Sequence, residues 1–309
     1  MAPILPHRAV PHPRAAPASL HGADGTISAR VHVWTAPTMV TGEQLTQTAD
    51  QQATHAPGTP CWASLMVRDL AGSRRFYREL FGWEFTAGPQ QLGPYVRAVV
   101  HGHEVAGLGE TPVGRDFPAA WMPYLSSDDA DTTADRIRQC GGTVAVGPLE
   151  FGDAGRLVVA ADPGGATFGV WQGDGHSERR PLEAAAAGTP VWFELVTRTT
   201  TGPAAFYPSV FGYGTTSAPA PDEGGRLTLL LEDRPVATVR GTDGTRPSAH
   251  GPHWKTCFAV DDTEIAAQRA VDLGGRLVRE PHRTPYGVRA TVSDPEGAEF
   301  SVLQTDRAG

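Results

Sequence analysis

The chain is written twice. Gly58-Thr59-Pro60-Cys61-Trp62 returns as Gly188-Thr189-Pro190-Val191-Trp192, and Phe76-Tyr77 with Phe81-Gly82 returns as Phe206-Tyr207 with Phe211-Gly212, each 130 positions on. Trp121, Asp128-Asp129 and Gly141-Gly142 return as Trp254, Asp261-Asp262 and Gly274-Gly275, shifted by 133. Asp162-Pro163-Gly164-Gly165-Ala166-Thr167-Phe168 returns as Asp294-Pro295-Glu296-Gly297-Ala298-Glu299-Phe300, shifted by 132. Turn residues, aromatic anchors and helix ends recur in one order, so each half is one structural unit built twice. That register lets any position be compared with its counterpart.

Each half divides again. Trp62–Val67 alternates as a strand, and Asp69 is suited to cap the helix that follows. From 70 to 81 the apolar residues Leu70, Phe76, Tyr77, Leu80 and Phe81 keep helical spacing, and Gly82 stops the helix. Three strands are expected next, at Trp83–Phe85, Tyr95–Val100 and Glu104–Leu108. The order recurs with a strand at Trp121–Ser126, a helix capped by Asp129 or Asp131 and ended by Gly141-Gly142, and strands at Thr143–Val146, Arg156–Ala160 and Thr167–Trp171. Residues 190–239 and 254–304 repeat the pattern, with Ile265, Ala266, Arg269, Ala270 and Leu273 marking the fourth helix. The expected fold class is α+β: four βαβββ modules in two domains, 58–174 and 188–305. Residues 1–57, with seven prolines, read as a disordered leader and 175–187 as a linker.

Composition excludes several classes. No apolar run approaches the ~18–20 residues that span a bilayer, and no apolar stretch follows the start as in a secretory signal. A formal charge of -8 without a basic stripe argues against nucleic acid. The three cysteines, Cys61, Cys140 and Cys257, share no CxxC spacing, which fits a cytoplasmic protein without disulfides and without a catalytic thiol.

Phe76-Tyr77-x3-Phe81-Gly82-Trp83 and Asp162-Pro163-x-Gly165-Ala166-x-Phe168, found in register over residues 58–305, resemble the vicinal-oxygen-chelate superfamily, which includes glyoxalase I, extradiol dioxygenases and bleomycin-resistance proteins. Trp121-x2-Tyr124 and Trp171-Gln172 look like the two-domain glyoxalase-like proteins of actinobacteria. The resemblance implies that paired modules curl into cups that hold any ligand. It also implies two metal-ligand positions per module, one on the first strand and one on the last. Here those positions carry Trp62, Met122, Trp192 and Lys255, with Gly169 and Ser301 on the closing strands of the second and fourth modules. None is a good ligand, so no metal and no cofactor are expected.

Other residues offer chemistry one at a time. Glu194, on the same strand face as Trp192, is a candidate general base if burial raises its pKa. His253, beside His250 in the loop before Trp254, is a second acid–base candidate. His282 and Tyr286 are expected in a loop at 281–287. His101, His103 and Glu104 crowd one hairpin, where the turn should aim the histidines at water. Trp62, Trp121, Tyr124 and Trp171 are expected to face a flat hydrophobic ligand in the first cup, and Trp192 lies in the second. Two functions follow. One is metal-free binding of a hydrophobic, aromatic small metabolite in secondary metabolism or resistance. The other is an isomerase, cyclase, lyase or cofactor-independent oxygenase of the same fold using Glu194 or His253. Neither needs nucleic acid or membrane, and a homodimer is compatible with both.

Overall fold

The computed structural model describes residues 55–112, 114, 118–152, 154–173, 186–218, 225–242 and 251–305. Most of the expected leader and linker, and His250, lie outside the described residues. In the first half the order is β1 (Pro60–Val67), α1 (Leu70–Phe81), β2 (Glu84–Ala87), β3 (Tyr95–Val100), β4 (His103–Glu110), β5 (Trp121–Ser126), α2 (Ala130–Gln139), β6 (Thr143–Glu150), β7 (Arg156–Ala161) and β8 (Thr167–Gln172). The second half repeats it as β9 (Pro190–Thr197), α3 (Thr201–Phe211), β10 (Gly214–Ala218), β11 (Arg226–Leu231), β12 (Arg234–Gly241), β13 (His253–Ala259), α4 (Thr263–Asp272), β14 (Arg276–Thr284), β15 (Gly287–Ser293) and β16 (Glu299–Thr305). These are the four expected βαβββ modules.

Each half forms one eight-stranded sheet, β2-β3-β4-β1-β5-β8-β7-β6 and β10-β11-β12-β9-β13-β16-β15-β14, curled as a cup. Two modules meet where β1 runs antiparallel to β5, with Trp62 opposite Tyr124, and where β9 meets β13 in the same way. Strand alternation then sorts the side chains. Ala63, Leu65 and Val67 of β1 and Trp121 and Leu125 of β5 are buried in the main core, whereas Trp62, Met122 and Tyr124 belong to a separate cluster inside the first cup.

The helices form where the sequence places their signals. Asp69 accepts from the Gly72 N–H at 2.8 Å, Asp129 caps α2 and Asp262 caps α4 through their side chains, and Gly82 takes the left-handed conformation (φ 72°) that ends α1. Two local expectations fail. Ile265 stands 69% exposed while Ala266, Ala267 and Ala270 make the buried stripe of α4. His282 lies on β14 opposite Arg289, because that strand continues to Thr284 and only Pro285-Tyr286 turn.

The repeated motifs meet across the two halves. Trp121 Nε1 donates to the Tyr77 hydroxyl at 3.1 Å, and Tyr77 donates to Asp294 Oδ2 of the other half at 3.0 Å. The counterpart runs from Trp254 Nε1 to Tyr207 (3.1 Å) and from Tyr207 to Asp162 Oδ2 of the first half (3.2 Å). Burial pushes both tyrosine hydroxyls well above their ordinary range, so they remain protonated donors. The other oxygen of each aspartate holds its own turn: Asp294 Oδ1 accepts from Ala298 N, and Asp162 Oδ1 from Gly164 N and Ala166 N. Phe300 lies 6.4 Å from Phe76 and Phe168 lies 6.1 Å from Phe206, closing the same seam with apolar rings. Tyr77→Phe leaves the Asp294 oxygen and the Trp121 N–H without their partner. It should lower stability by about 1–3 kcal/mol in urea unfolding; an unchanged midpoint would show that water replaces the hydroxyl.

Candidate functional site

The first cup encloses a cavity of about 440 Å³. Its walls are aromatic and aliphatic: Trp62 from β1, Tyr95 from β3, Tyr124 from β5, Leu157 from β7, Trp171 from β8 and Phe151 just beyond β6. A bulge between Pro60 and Trp62 turns Cys61 toward the same space. Trp62 Nε1 donates to the Tyr95 hydroxyl at 3.1 Å, and Ser64 Oγ donates to the Tyr124 hydroxyl at 3.1 Å. Trp62, Tyr95 and Tyr124 are thus held by hydrogen bonds within the wall.

Two glycines make this wall possible. A Cβ on Gly107 would stand 1.6 Å from the Tyr95 hydroxyl oxygen, and one on Gly169 would stand 2.2 Å from the Tyr124 ring. The tyrosines lie over bare backbone, so any side chain at either glycine would displace a ring. Polar groups collect in two places. Arg97 and Glu104 form an ion pair at 2.9 Å, each side chain 27% exposed, and Ser126, Asp128 and Gln172 line another part of the cavity. Gln172 Oε1 accepts from Ala130 N at 2.8 Å, tying the cavity to the start of α2.

Of the residues expected here, Trp62, Tyr124 and Trp171 converge on the cavity. Trp121 does not. It is 1% exposed in the main core, packed 5.5 Å from Tyr77 and 5.0 Å from Phe258. The cause is parity: Tyr124 faces the cup, and a residue three positions earlier on a strand must face away. The hairpin histidines behave as expected. His101 sits in the turn with φ 49°, both histidines are exposed, and only Glu104 of that cluster reaches the cavity.

The second cup is charged where the first is aromatic. Glu194 is buried at its centre, with Arg289 Nη2 at 3.1 Å, Arg240 Nε at 3.6 Å and Arg226 Nη2 at 4.0 Å. Lys255, on the adjoining strand, pairs with Glu299. Burial alone would raise the Glu194 pKa, but the positive charges of Arg289, Arg240, Arg226 and Lys255 outweigh it and hold the carboxyl below its ordinary value. The expectation of a raised pKa is therefore corrected: Glu194 is a fixed anion and a weak base. His253 opens β13, and its Nδ1 lies 2.7 Å from the Gly251 carbonyl, whereas the charged partners of Glu194 are the arginines. Trp192 stacks on Tyr286 (centroids 6.2 Å apart, 24° between planes) and donates to Thr238 Oγ1. Cys257 is buried, and that burial pushes its thiol up to about 11, away from nucleophilic use.

The family model of the glyoxalase/bleomycin resistance protein/dioxygenase superfamily matches residues 60–170, and that of a glyoxalase-like domain matches 191–303. The anthracycline biosynthesis protein DauV of Streptomyces sp. (strain C5) is 36% identical over 274 residues, covering 82% of this chain and 95% of that protein. This chain belongs to the glyoxalase/bleomycin resistance protein/dioxygenase superfamily. Within it, the anthracycline biosynthesis protein DnrV of Streptomyces peucetius is also 36% identical, over 268 residues, covering 81% of this chain and 94% of that one. The Mn(II)-bound glyoxalase from Novosphingobium aromaticivorans shares the fold, with a TM-score of 0.57 at 15% identity over 81% of this chain and 82% of that one.

Superfamily members that bind a metal need donors where strands face each other inside a cup, and these cups do not supply them. The first presents Trp62, Ser64, Met122, Tyr124, Gly107 and Gly169, with tyrosine rings lying over both glycines. The second presents Glu194, already surrounded by guanidiniums, and Glu299, paired with Lys255. Among the described residues no three His, Cys, Asp or Glu side chains are placed to hold a metal ion. The residues present do not fit that group.

Because the folded protein holds Glu194 below the ordinary range, its stabilisation is present above the unfolded-state pKa of about 4.3 and is lost as pH falls through the lower folded value. Glu194→Gln should melt lower than the parent at pH 7, with the gap closing on acidification below about pH 4. The loss should stay under the ~3–5 kcal/mol of a fully buried broken pair, since Arg226 and Arg240 keep 32% and 33% exposure. Thermal melts showing the same gap at pH 3 and pH 7 would assign the effect to packing instead.

Proposed function

We propose that this protein binds a flat aromatic metabolite of secondary metabolism in the first cup, without a metal. The observation that carries the reading is the cavity itself. Its volume of about 440 Å³ falls within the ~300–1,000 Å³ of small-molecule sites, and it joins fixed aromatic walls to a few polar groups. The relatives named for anthracycline biosynthesis support a polycyclic aromatic as the ligand class. Trp62, Tyr124 and Trp171 would lie against the ligand rings. Asp128, Gln172 and the Arg97–Glu104 pair would meet its oxygen substituents. Glu194, the acid–base candidate of the second cup, is held ionised by its arginines, which disfavours its use as a general base. Three free cysteines and, among the described residues, no helix long and apolar enough to cross a membrane accord with a cytoplasmic binding role.

Titration with an anthracycline aglycone should quench tryptophan fluorescence saturably, with the same Kd in EDTA and in added Mn²⁺. Trp171→Ala should weaken binding by about 1–3 kcal/mol, roughly 5- to 150-fold, and Trp171→Phe should restore most of it. Trp121→Ala should instead lower stability by about 3–5 kcal/mol, as loss of a core aromatic does, with affinity kept. Binding that survives Trp171→Ala and Trp62→Ala unchanged would place the ligand elsewhere, and a Kd that tightens only with metal would overturn the metal-free reading.

A further inference from the structure

We infer that the second cup is a separate site for a small oxyanion, a carboxylate or phosphate group on a metabolite, held by Arg226 and Arg240. Three observations carry this.

The first is charge. Among the described residues, the ion pairs of this cup join four cations, Arg226, Arg240, Arg289 and Lys255, to two carboxylates, Glu194 and Glu299. This stands inside a chain whose formal charge is -8, so it is not the general sign of the protein.

The second is hydrogen bonding. A guanidinium carries five N–H donors, and one carboxylate accepts well from about two such groups. Arg289 is used: its Nη2 donates to Glu194 at 3.1 Å and to Ser301 Oγ at 2.9 Å. Arg226 and Arg240 stand at 4.0 and 3.6 Å, ion-pair range only, and neither makes a side-chain hydrogen bond to a described residue. Their side chains are 32% and 33% exposed, so they remain within reach of solvent and of a ligand.

The third is register. Arg226 and Arg240 are directly opposed on neighbouring antiparallel strands. Like charges in that position repel and destabilise a sheet. Their counterparts in the first half are also directly opposed, and there they are Tyr95 and Gly109. Ser64, Met122 and Leu157 likewise stand where Glu194, Lys255 and Arg289 stand. The same backbone thus serves a neutral ring in one cup and a bidentate anion cradle in the other. Glu194 orders the guanidiniums from below, and a ligand oxyanion would relieve the remaining repulsion from above.

Melting is measured with sodium benzoate and with inorganic phosphate as two arms, against sodium chloride at equal ionic strength. At least one anion should raise the melting temperature saturably beyond the chloride control. Stabilisation by benzoate alone assigns a carboxylate, and by phosphate alone a phosphate ester. Arg240→Gln and Arg226→Gln should each weaken that anion at least tenfold, while Arg97→Gln in the first cup should leave it unchanged. Should a glutamine variant fail to fold, Arg226→Lys keeps the charge but loses the fork, and should still weaken the anion. The inference falls if neither anion exceeds chloride, or if it stabilises the parent and the Arg226 variant equally. Aglycone binding in the first cup should survive these substitutions, so the two sites fail or stand separately.

Discussion

The Trp–Tyr–Asp connection that crosses between the halves holds everything else in place. A buried indole N–H, a buried hydroxyl and a carboxylate that also caps a turn satisfy one another in series, twice, at 3.0–3.2 Å. Each member would be costly alone in an apolar seam. The Asp of each pair lies in the turn just before the closing strand of its cup, and the Trp lies near the start of the strand at the centre of the other cup's sheet. Fixing the seam therefore fixes where β5, β8, β13 and β16 run, and so the floor of both cups.

That shared floor carries different chemistry. In the first cup the close approach of tyrosine rings to Gly107 and Gly169 occupies the space where a metal ligand would project. In the second, Thr238 and Ser301 hold the matching positions, and arginines from β11, β12 and β15 reach inward around Glu194. Neither cup offers a set of metal donors among the described residues, but the side chains that fill them differ.

Much of this was legible in the sequence because it is local. Caps at Asp69 and Asp129, the stop at Gly82 and the Asp-Pro turns depend on neighbours within a few positions. Trp121 was misread although the information was present: with Tyr124 inside the cup, a residue three earlier lies on the opposite face. The charge of Glu194 was not legible, since its partners lie 32, 46 and 95 positions away and converge only through sheet pairing. The Arg226–Arg240 opposition needed the β11–β12 register, which two strands without a tight-turn signature between them do not announce.

The crosswise seam is self-complementary: Tyr77 meets Asp294 as Tyr207 meets Asp162. This is the isologous pattern by which two identical subunits associate about a two-fold axis. In such an assembly every substitution is made in both copies, so both binding sites must change together. Tethering two copies in one chain keeps the contact at high effective concentration while freeing each copy to vary. One cup can then gain arginines without charging the other. The covalent link thus allows a nearly symmetric scaffold to line its two cups with unlike chemistry.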